Sequence, residues 1–114
     1  MRVTSITVGV PVSDLDGATR WYEQVLGIGP AIEPARGVHE YEVSRGCWLQ
    51  LFEGETSSSE HAFRIGVEDI ERERDRLLRL GVPVQEIERV ESVIAFCDFV
   101  DPYGNSLSLY QVLA

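Results

Sequence analysis

The 114-residue sequence contains no lysine, since all ten of its basic residues are Arg. That absence removes Schiff-base chemistry and lysine nucleophiles from consideration. Cysteine is scarce as well. Cys47 and Cys97 are the only two, too few for a disulfide-stapled secreted scaffold, and no C-x-x-C or Cys/His spacing of the zinc type is present. No apolar run approaches the roughly 20 residues that span a bilayer. Met1-Arg2-Val3-Thr4-Ser5 leads into an alternating strand without a long apolar segment, so the expectation is a cytoplasmic protein. Positive charge is the minority, with 10 basic residues against 19 acidic and a net charge of −9. Such a field repels phosphate backbones and anionic headgroups, and neither nucleic acid nor a membrane is an expected partner.

What is present suits one globular domain: 44% hydrophobic and 25% charged residues are ordinary values for a chain of this length. Ser5-Ile6-Thr7-Val8-Gly9-Val10 alternates with period two and reads as a strand ending at Pro11. Ser13, with Asp16 three residues on, reads as a helix cap. Ala18, Trp21, Tyr22, Val25 and Leu26 then recur at helical spacing until Gly27. A loop through Pro30 and Pro34 precedes two strands, 38–43 and 47–52, joined by Ser44-Arg45-Gly46. Gly54 to Glu60 is a polar, serine-rich stretch that reads as a flexible connector.

The second half repeats this order, with a strand at 62–67, a helix led by Asp69 and running to Leu80, and strands at 84–87, 93–99 and 107–112. Val12-Ser13-Asp14-Leu15-Asp16 matches Val67-Glu68-Asp69-Ile70-Glu71 at an offset of 55. Gly46-Cys47-Trp48-Leu49-Gln50-Leu51-Phe52 matches Gly104-Asn105-Ser106-Leu107-Ser108-Leu109-Tyr110 at 58. Leu26-Gly27-Ile28 matches Leu80-Gly81-Val82 at 54. The pattern is an internal duplication in which each half reads βαβββ. The expected organisation is one domain, 1–114, with a first module at about 1–54, a connector at 55–60 and a second module at about 61–114.

Strand parity sorts the side chains into two faces. Ile6, Val8, Val10, Cys47, Leu49, Leu51, Phe63, Ile65, Val67, Leu107 and Leu109 suit the face that carries the helices. The opposite set comprises Thr7 and Gly9; Trp48, Gln50 and Phe52; Ala62, Arg64 and Gly66; and Ser106, Ser108 and Tyr110. It mixes aromatic and hydrogen-bonding groups, as a small-molecule site does; a solvated outer face is the bland alternative. Trp48, Phe52 and Tyr110 offer stacking walls, and Gln50 and Ser108 polar anchors. Arg64, between two small residues, offers a planar guanidinium for a carboxylate or an aromatic ring, or else pairs with an internal acid. Cys47 and Cys97 read as buried small hydrophobes. The charges of the second helix pair at i,i+4 as Glu68–Arg72 and Asp75–Arg79, a solvated face.

Two stretches carry a family resemblance: Val12-Ser13-Asp14-Leu15 with Trp21-Tyr22-Glu23-Gln24-Val25-Leu26-Gly27, and Phe99-Val100-Asp101-Pro102-Tyr103-Gly104-Asn105 leading into Ser106-Leu107-Ser108-Leu109. Together with the duplication they resemble the vicinal oxygen chelate superfamily, which includes glyoxalase I, bleomycin-resistance proteins and extradiol dioxygenases. The resemblance spans nearly the whole chain. It implies an α+β fold of two tandem βαβββ modules forming a curved mixed sheet around a cavity, commonly completed by a homodimer. In metal-dependent members, a His or Gln on the first strand and a Glu on the third strand of one module bind a divalent metal together with a His or Glu from the matching strands of the other.

Those positions map here onto Thr7, Gln50, Ala62 and Ser108, a set poor in metal ligands. The expectation is therefore a binding protein with no cofactor, whose site is Thr7, Trp48, Gln50, Phe52, Arg64, Ser108 and Tyr110 and whose ligand is a small organic molecule, anionic or aromatic. The alternative is a metal-dependent lyase, isomerase or dioxygenase with a divalent metal on displaced ligands, for which His39 and His61 are the candidates. His39 groups naturally with Tyr41 on its strand, while His39 and Glu40 point to opposite faces. A third reading is an interaction module whose aromatic face is covered by a partner chain.

Overall fold

Asp14, not Ser13, starts the first helix. In the computed structural model, which describes residues 1–55 and 61–113 without the side chains of His61 and Ala62, the Asp14 side chain accepts the Gly17 N–H at 3.2 Å. The Asp carboxylate satisfies a donor that the helix itself leaves open, and its charge suits the N-terminal end of the helix dipole. The helix, α1 (Leu15–Leu26), ends at Gly27, whose φ of 66° is the left-handed conformation that a residue without Cβ adopts freely.

The chain divides into two compact units, Met1–Ser57 and Ser58–Ala114. Unit 1 contains β1 (Ile6–Val12), α1, β2 (Ile32–Ala35), β3 (Val38–Ser44) and β4 (Cys47–Glu53). Its four strands lie in the order β1-β4-β3-β2, with β1 parallel to β4 and the other pairs antiparallel. Unit 2 repeats the sequence of elements as β5 (His61–Gly66), α2 (Ile70–Arg79), β6 (Glu88–Val90), β7 (Ile94–Val100) and β8 (Ser106–Val112). Its order, β5-β8-β7-β6, is the same. The fold is α+β, two βαβββ units whose strands form two four-stranded mixed sheets that do not close into a barrel.

Several local expectations are corrected. Pro11 does not end the first strand; β1 runs on to Val12 because it is an edge strand, where a missing N–H costs no ladder bond on the open side. The loop through Pro34 contains β2, a strand without a sequence signal because Ile32-Glu33-Pro34-Ala35 is short, fully exposed and carries no alternation. The strand carrying Gln50 is consequently the fourth of its unit, not the third. The strand expected at 84–87 is a single bridge, Val84 to Phe99, and the ladder proper lies at Glu88–Val90. The helix expected to lead from Asp69 does so, with Asp69 accepting the Arg72 N–H at 3.1 Å. The ion pairs described around α2 are Glu73–Arg76 and Glu71–Arg89; the expected i,i+4 pairs are not among those of the described residues. The connector at 55–60 lies, apart from Glu55, outside the described residues.

In unit 1 the helix-side face buries as parity predicts toward one end of the sheet and not at the other. Val10, Val12, Leu49 and Leu51 are buried with Ala18, Tyr22 and Val25 of α1. Ile6 and its register partner Cys47 lie at the opposite end and are exposed, so the expectation of a buried Cys47 fails. Cys97 is buried, and burial pushes its thiol pKa up, against a smaller opposing effect of Arg74. In unit 2 the core gathers Ile70, Leu77, Ala95, Cys97, Leu107 and Leu109.

The turn that closes unit 2 is built around Asp101, which is buried. One carboxylate oxygen accepts the N–H groups of Tyr103 and Asn105 at 2.8 and 2.9 Å, and the other accepts the Asn105 side-chain amide at 2.7 Å. These three charge-assisted bonds compensate the desolvation of the carboxylate and explain why the turn takes Asp and Asn at these places.

Candidate functional site

Four of the expected site residues lie on the face of the unit 1 sheet opposite α1. Register places Thr7 beside Trp48, Gly9 beside Gln50 and Pro11 beside Phe52, with Glu42, Glu40 and Val38 of β3 completing the three rows. Trp48, Gln50 and Phe52 are half-buried and Thr7 is exposed. The Gln50 side-chain amide donates to Glu40 Oε2 at 2.8 Å. Phe52 lies against Gly9, where an added Cβ would stand 3.2 Å from the ring. Glu42, on the same face, has another task, accepting the Gly46 N–H that closes the β3–β4 turn.

Glu40 is the residue that sequence reasoning passed over. Its parity opposite to His39 is readable from the strand, but the pairing of β3 with β4 that sets it across from Gln50 is a non-local register. The signal present in the sequence was the even spacing of Glu40 and Glu42 on one strand.

His39 lies on the other face of β3, opposite Leu51 and toward α1. Its Nδ1 is 2.7 Å from Thr19 Oγ1 and its Nε2 is 3.0 Å from Glu33 Oε2. Tyr41 is on the same face and donates its hydroxyl to Glu23 Oε2 at 2.9 Å. His39 and Tyr41 thus fasten β3 to α1, and His39 also reaches β2, so neither shares a face with Gln50.

In unit 2, Arg64, Ser108 and Tyr110 share one face. Arg64 stands beside Ser108 in the β5–β8 register, and Gly66 beside Tyr110. The Arg64 guanidinium lies over the Tyr110 ring, 4.9 Å from its centroid, while the residue itself remains exposed. Gly66 is required for that arrangement, since a Cβ there would come within 2.9 Å of the tyrosine ring. Ser108 is buried, with its hydroxyl toward the carbonyl oxygens of Cys97 and Leu109, each at 3.4 Å. Asp98 of β7 stands across from Ser108. The side chains of His61 and Ala62 lie outside the described residues.

Unit 2 also holds an open cavity of about 700 Å³ with Leu78, Pro83, Val84 and Phe99 among its apolar walls and Gln85, Asp98 and Ser106 among its polar ones. No group of three or more His, Cys, Asp or Glu residues among the described ones is placed to hold a metal ion. No helix among them is long and apolar enough to cross a membrane.

The fold of two βαβββ units recurs in solved structures. A glyoxalase/bleomycin resistance protein from Catenulispora acidiphila is 24% identical with a TM-score of 0.77, over 95% of this chain and 97% of that one. TnmS3, an antibiotic binding protein from Streptomyces, is 22% identical with a TM-score of 0.77, over 98% and 96%. Lactoylglutathione lyase from Agrobacterium tumefaciens is 18% identical with a TM-score of 0.75, over 93% and 91%. No curated protein matches the sequence. The sequence model of one family matches residues 4–109. With that match over nearly the whole chain, and with the fold it shares with those structures, the chain belongs to the Glyoxalase/Bleomycin resistance protein/Dioxygenase superfamily.

Proposed function

We propose that this chain binds a small organic molecule on a helix-free sheet face and does so without the divalent metal of the superfamily's enzymes. The observation that carries the reading is the state of Gln50. Its side-chain N–H donates to Glu40 Oε2 at 2.8 Å, with Trp48 and Phe52 half-buried on either side of it along β4, a polar anchor between apolar walls. It is the one amide among inherited metal positions otherwise held by two hydroxyls and an alanine.

The remaining positions do not fit a metal. Thr7 is an exposed neutral hydroxyl, Ala62 has no side-chain donor, and Ser108 is buried with its hydroxyl toward two backbone carbonyls. Divalent cations take carboxylate or imidazole ligands in preference to such groups. His39, a candidate under the enzymatic alternative, is bonded through both ring nitrogens on the helix side of the sheet. On the unit 1 face Trp48 and Phe52 supply apolar walls and Thr7 and Gln50 polar contacts; on the unit 2 face Tyr110 supplies a ring and Arg64 a group for an anionic substituent. A likeness to an antibiotic binding protein supports the same class of role. The protein is further proposed to be a cytoplasmic homodimer, an assembly that sedimentation velocity tests directly.

The test is elemental analysis of untagged protein prepared without chelator, before and after incubation with Mn²⁺, Zn²⁺, Fe²⁺ and Ni²⁺. The expected result is no stoichiometric metal and no stabilisation by any of the four ions. One tightly held ion per chain would refute the metal-free reading.

A further inference from the structure

Each unit lays a row of three residues across its helix-free face at equivalent registers. In unit 2 the row is Arg64 on β5, Ser108 on β8 and Asp98 on β7. In unit 1 it is Gly9 on β1, Gln50 on β4 and Glu40 on β3. The aromatic one row further is matched too, Tyr110 beside Gly66 in unit 2 and Phe52 beside Pro11 in unit 1. The two rows differ in one respect that matters for charge: unit 2 carries its own cation, and unit 1 has a glycine in its place.

In unit 2 that cation lies over the aromatic ring, at 4.9 Å from the centroid. In unit 1 the equivalent ring, Phe52, lies against Gly9 with no side chain between. The acid at the other end of the row remains. Glu40 is half-buried, its carboxylate accepts the Gln50 amide, and among the described residues no cation pairs with it. A partly desolvated carboxylate is most stable beside a positive charge, and an aromatic face attracts one. The Gln50 carbonyl, whose oxygen would stand 3.8 Å from a Cβ at Gly9, adds an acceptor for a ligand N–H. Carboxylate, carbonyl and ring face all favour an N–H-bearing cation and disfavour an anion.

We propose that the helix-free face of unit 1 recognises the ammonium or guanidinium group of a small organic cation with an apolar body, with Glu40 as counter-ion and Phe52 as the ring it lies on. The inference rests on the small-molecule reading above and names the ligand class for this face. The ligand group takes the place over the Phe52 ring that Arg64 takes over the Tyr110 ring in unit 2.

Three probes of one shape test it: 2-naphthylmethylamine, a cation at neutral pH, 2-naphthylmethanol, neutral, and 2-naphthylacetate, an anion, each titrated calorimetrically into the whole protein. The amine is expected to bind about tenfold tighter than the alcohol, while binding of the acetate is expected to depend on Arg64 of unit 2 and not on Glu40. The amine's affinity falls with added salt and the alcohol's does not. The Glu40→Gln variant keeps the shape and an acceptor for the Gln50 amide, and should lose the amine's advantage. Glu42→Gln, altering the acid that serves the turn, should keep it. Equal binding of amine and alcohol, an advantage that survives in Glu40→Gln, or an advantage insensitive to salt overturns the cation inference and leaves the small-molecule reading standing. Absence of saturable binding by all three probes up to about 10 mM overturns both.

Discussion

Replacing Tyr41 by Phe deletes one oxygen from a side chain that is 3% exposed and leaves its packing in place. The deleted hydroxyl donates to Glu23 Oε2 at 2.9 Å, with a longer approach to the Thr19 carbonyl at 3.4 Å. A hydrogen bond to a charged partner contributes about 1.5–3 kcal/mol. Glu23 is half-buried, so water recovers part of the loss, and the expected cost is about 1.5 kcal/mol, or roughly 6–12 °C in the midpoint of a unit this small. Both tryptophans, Trp21 and Trp48, belong to unit 1, so tryptophan fluorescence reports the affected unit selectively. Burial, and then the hydrogen bond and charge of Glu23, push the Tyr41 hydroxyl pKa well above its usual range. An unfolded tyrosine ionises near pH 10, where folded Tyr41 still holds its proton. Above that pH the unfolded state binds fewer protons than the native state, and stability falls as pH rises; below it the contribution is fully present. Tyr41→Phe should therefore lower the midpoint at neutral pH and flatten the alkaline slope. Combined with Glu23→Gln, it should show a coupling of at least about 0.5 kcal/mol. A midpoint within error of the parent, or an unchanged alkaline slope, would refute the reasoning.

Asp14→Ala and Asp69→Ala each remove a helix N-cap and should cost about 1 kcal/mol, the first read by tryptophan fluorescence and the second by circular dichroism alone. Gly66→Ala should displace the Tyr110 ring and with it the Arg64 stack, seen as shifted Tyr110 ring resonances in NMR, with little loss of stability because the obstructing atoms are the free end of a side chain. Arg64→Ala should weaken binding of an anionic ligand severalfold; unchanged affinity for an identified one would remove Arg64 from the site.

The order of elements was legible from the sequence because caps, glycines and period-two alternation are local signals. Asp69 and Gly27 sit at helix ends for reasons contained within a few residues. β2 was not legible, because four exposed residues with a proline carry no alternation, and β6 was misplaced by the apolar run just before it. Parity sorted the two faces correctly, yet it could not say how far the helix extends over the sheet, which is why Ile6 and Cys47 are exposed against expectation. The Gln50–Glu40 pair and the Arg64–Tyr110 stack depend on register between strands. Arg64 was singled out by its small neighbours, but its ring partner was set by pairing 46 residues away in the chain.

The inference about unit 1 can also be tested without any ligand, by supplying the missing cation covalently. Gly9→Arg places a guanidinium in the row that holds Arg64 in unit 2, beside a ring and across from an acid. Gly9→Gln places a polar chain with the same Cβ, and that Cβ meets the Phe52 ring at 3.2 Å in both variants, so the steric cost cancels in the difference between them. If Glu40 lacks a counter-ion, the Arg variant should be more stable than the Gln variant by about 0.5–1 kcal/mol at low ionic strength, the range of a partly exposed ion pair with a cation–π contact. Added salt should shrink the difference, and so should Glu40→Gln, which leaves only the ring. Equal stability of the two variants, or a difference untouched by Glu40→Gln, would mean that Glu40 exerts no demand for positive charge at this face.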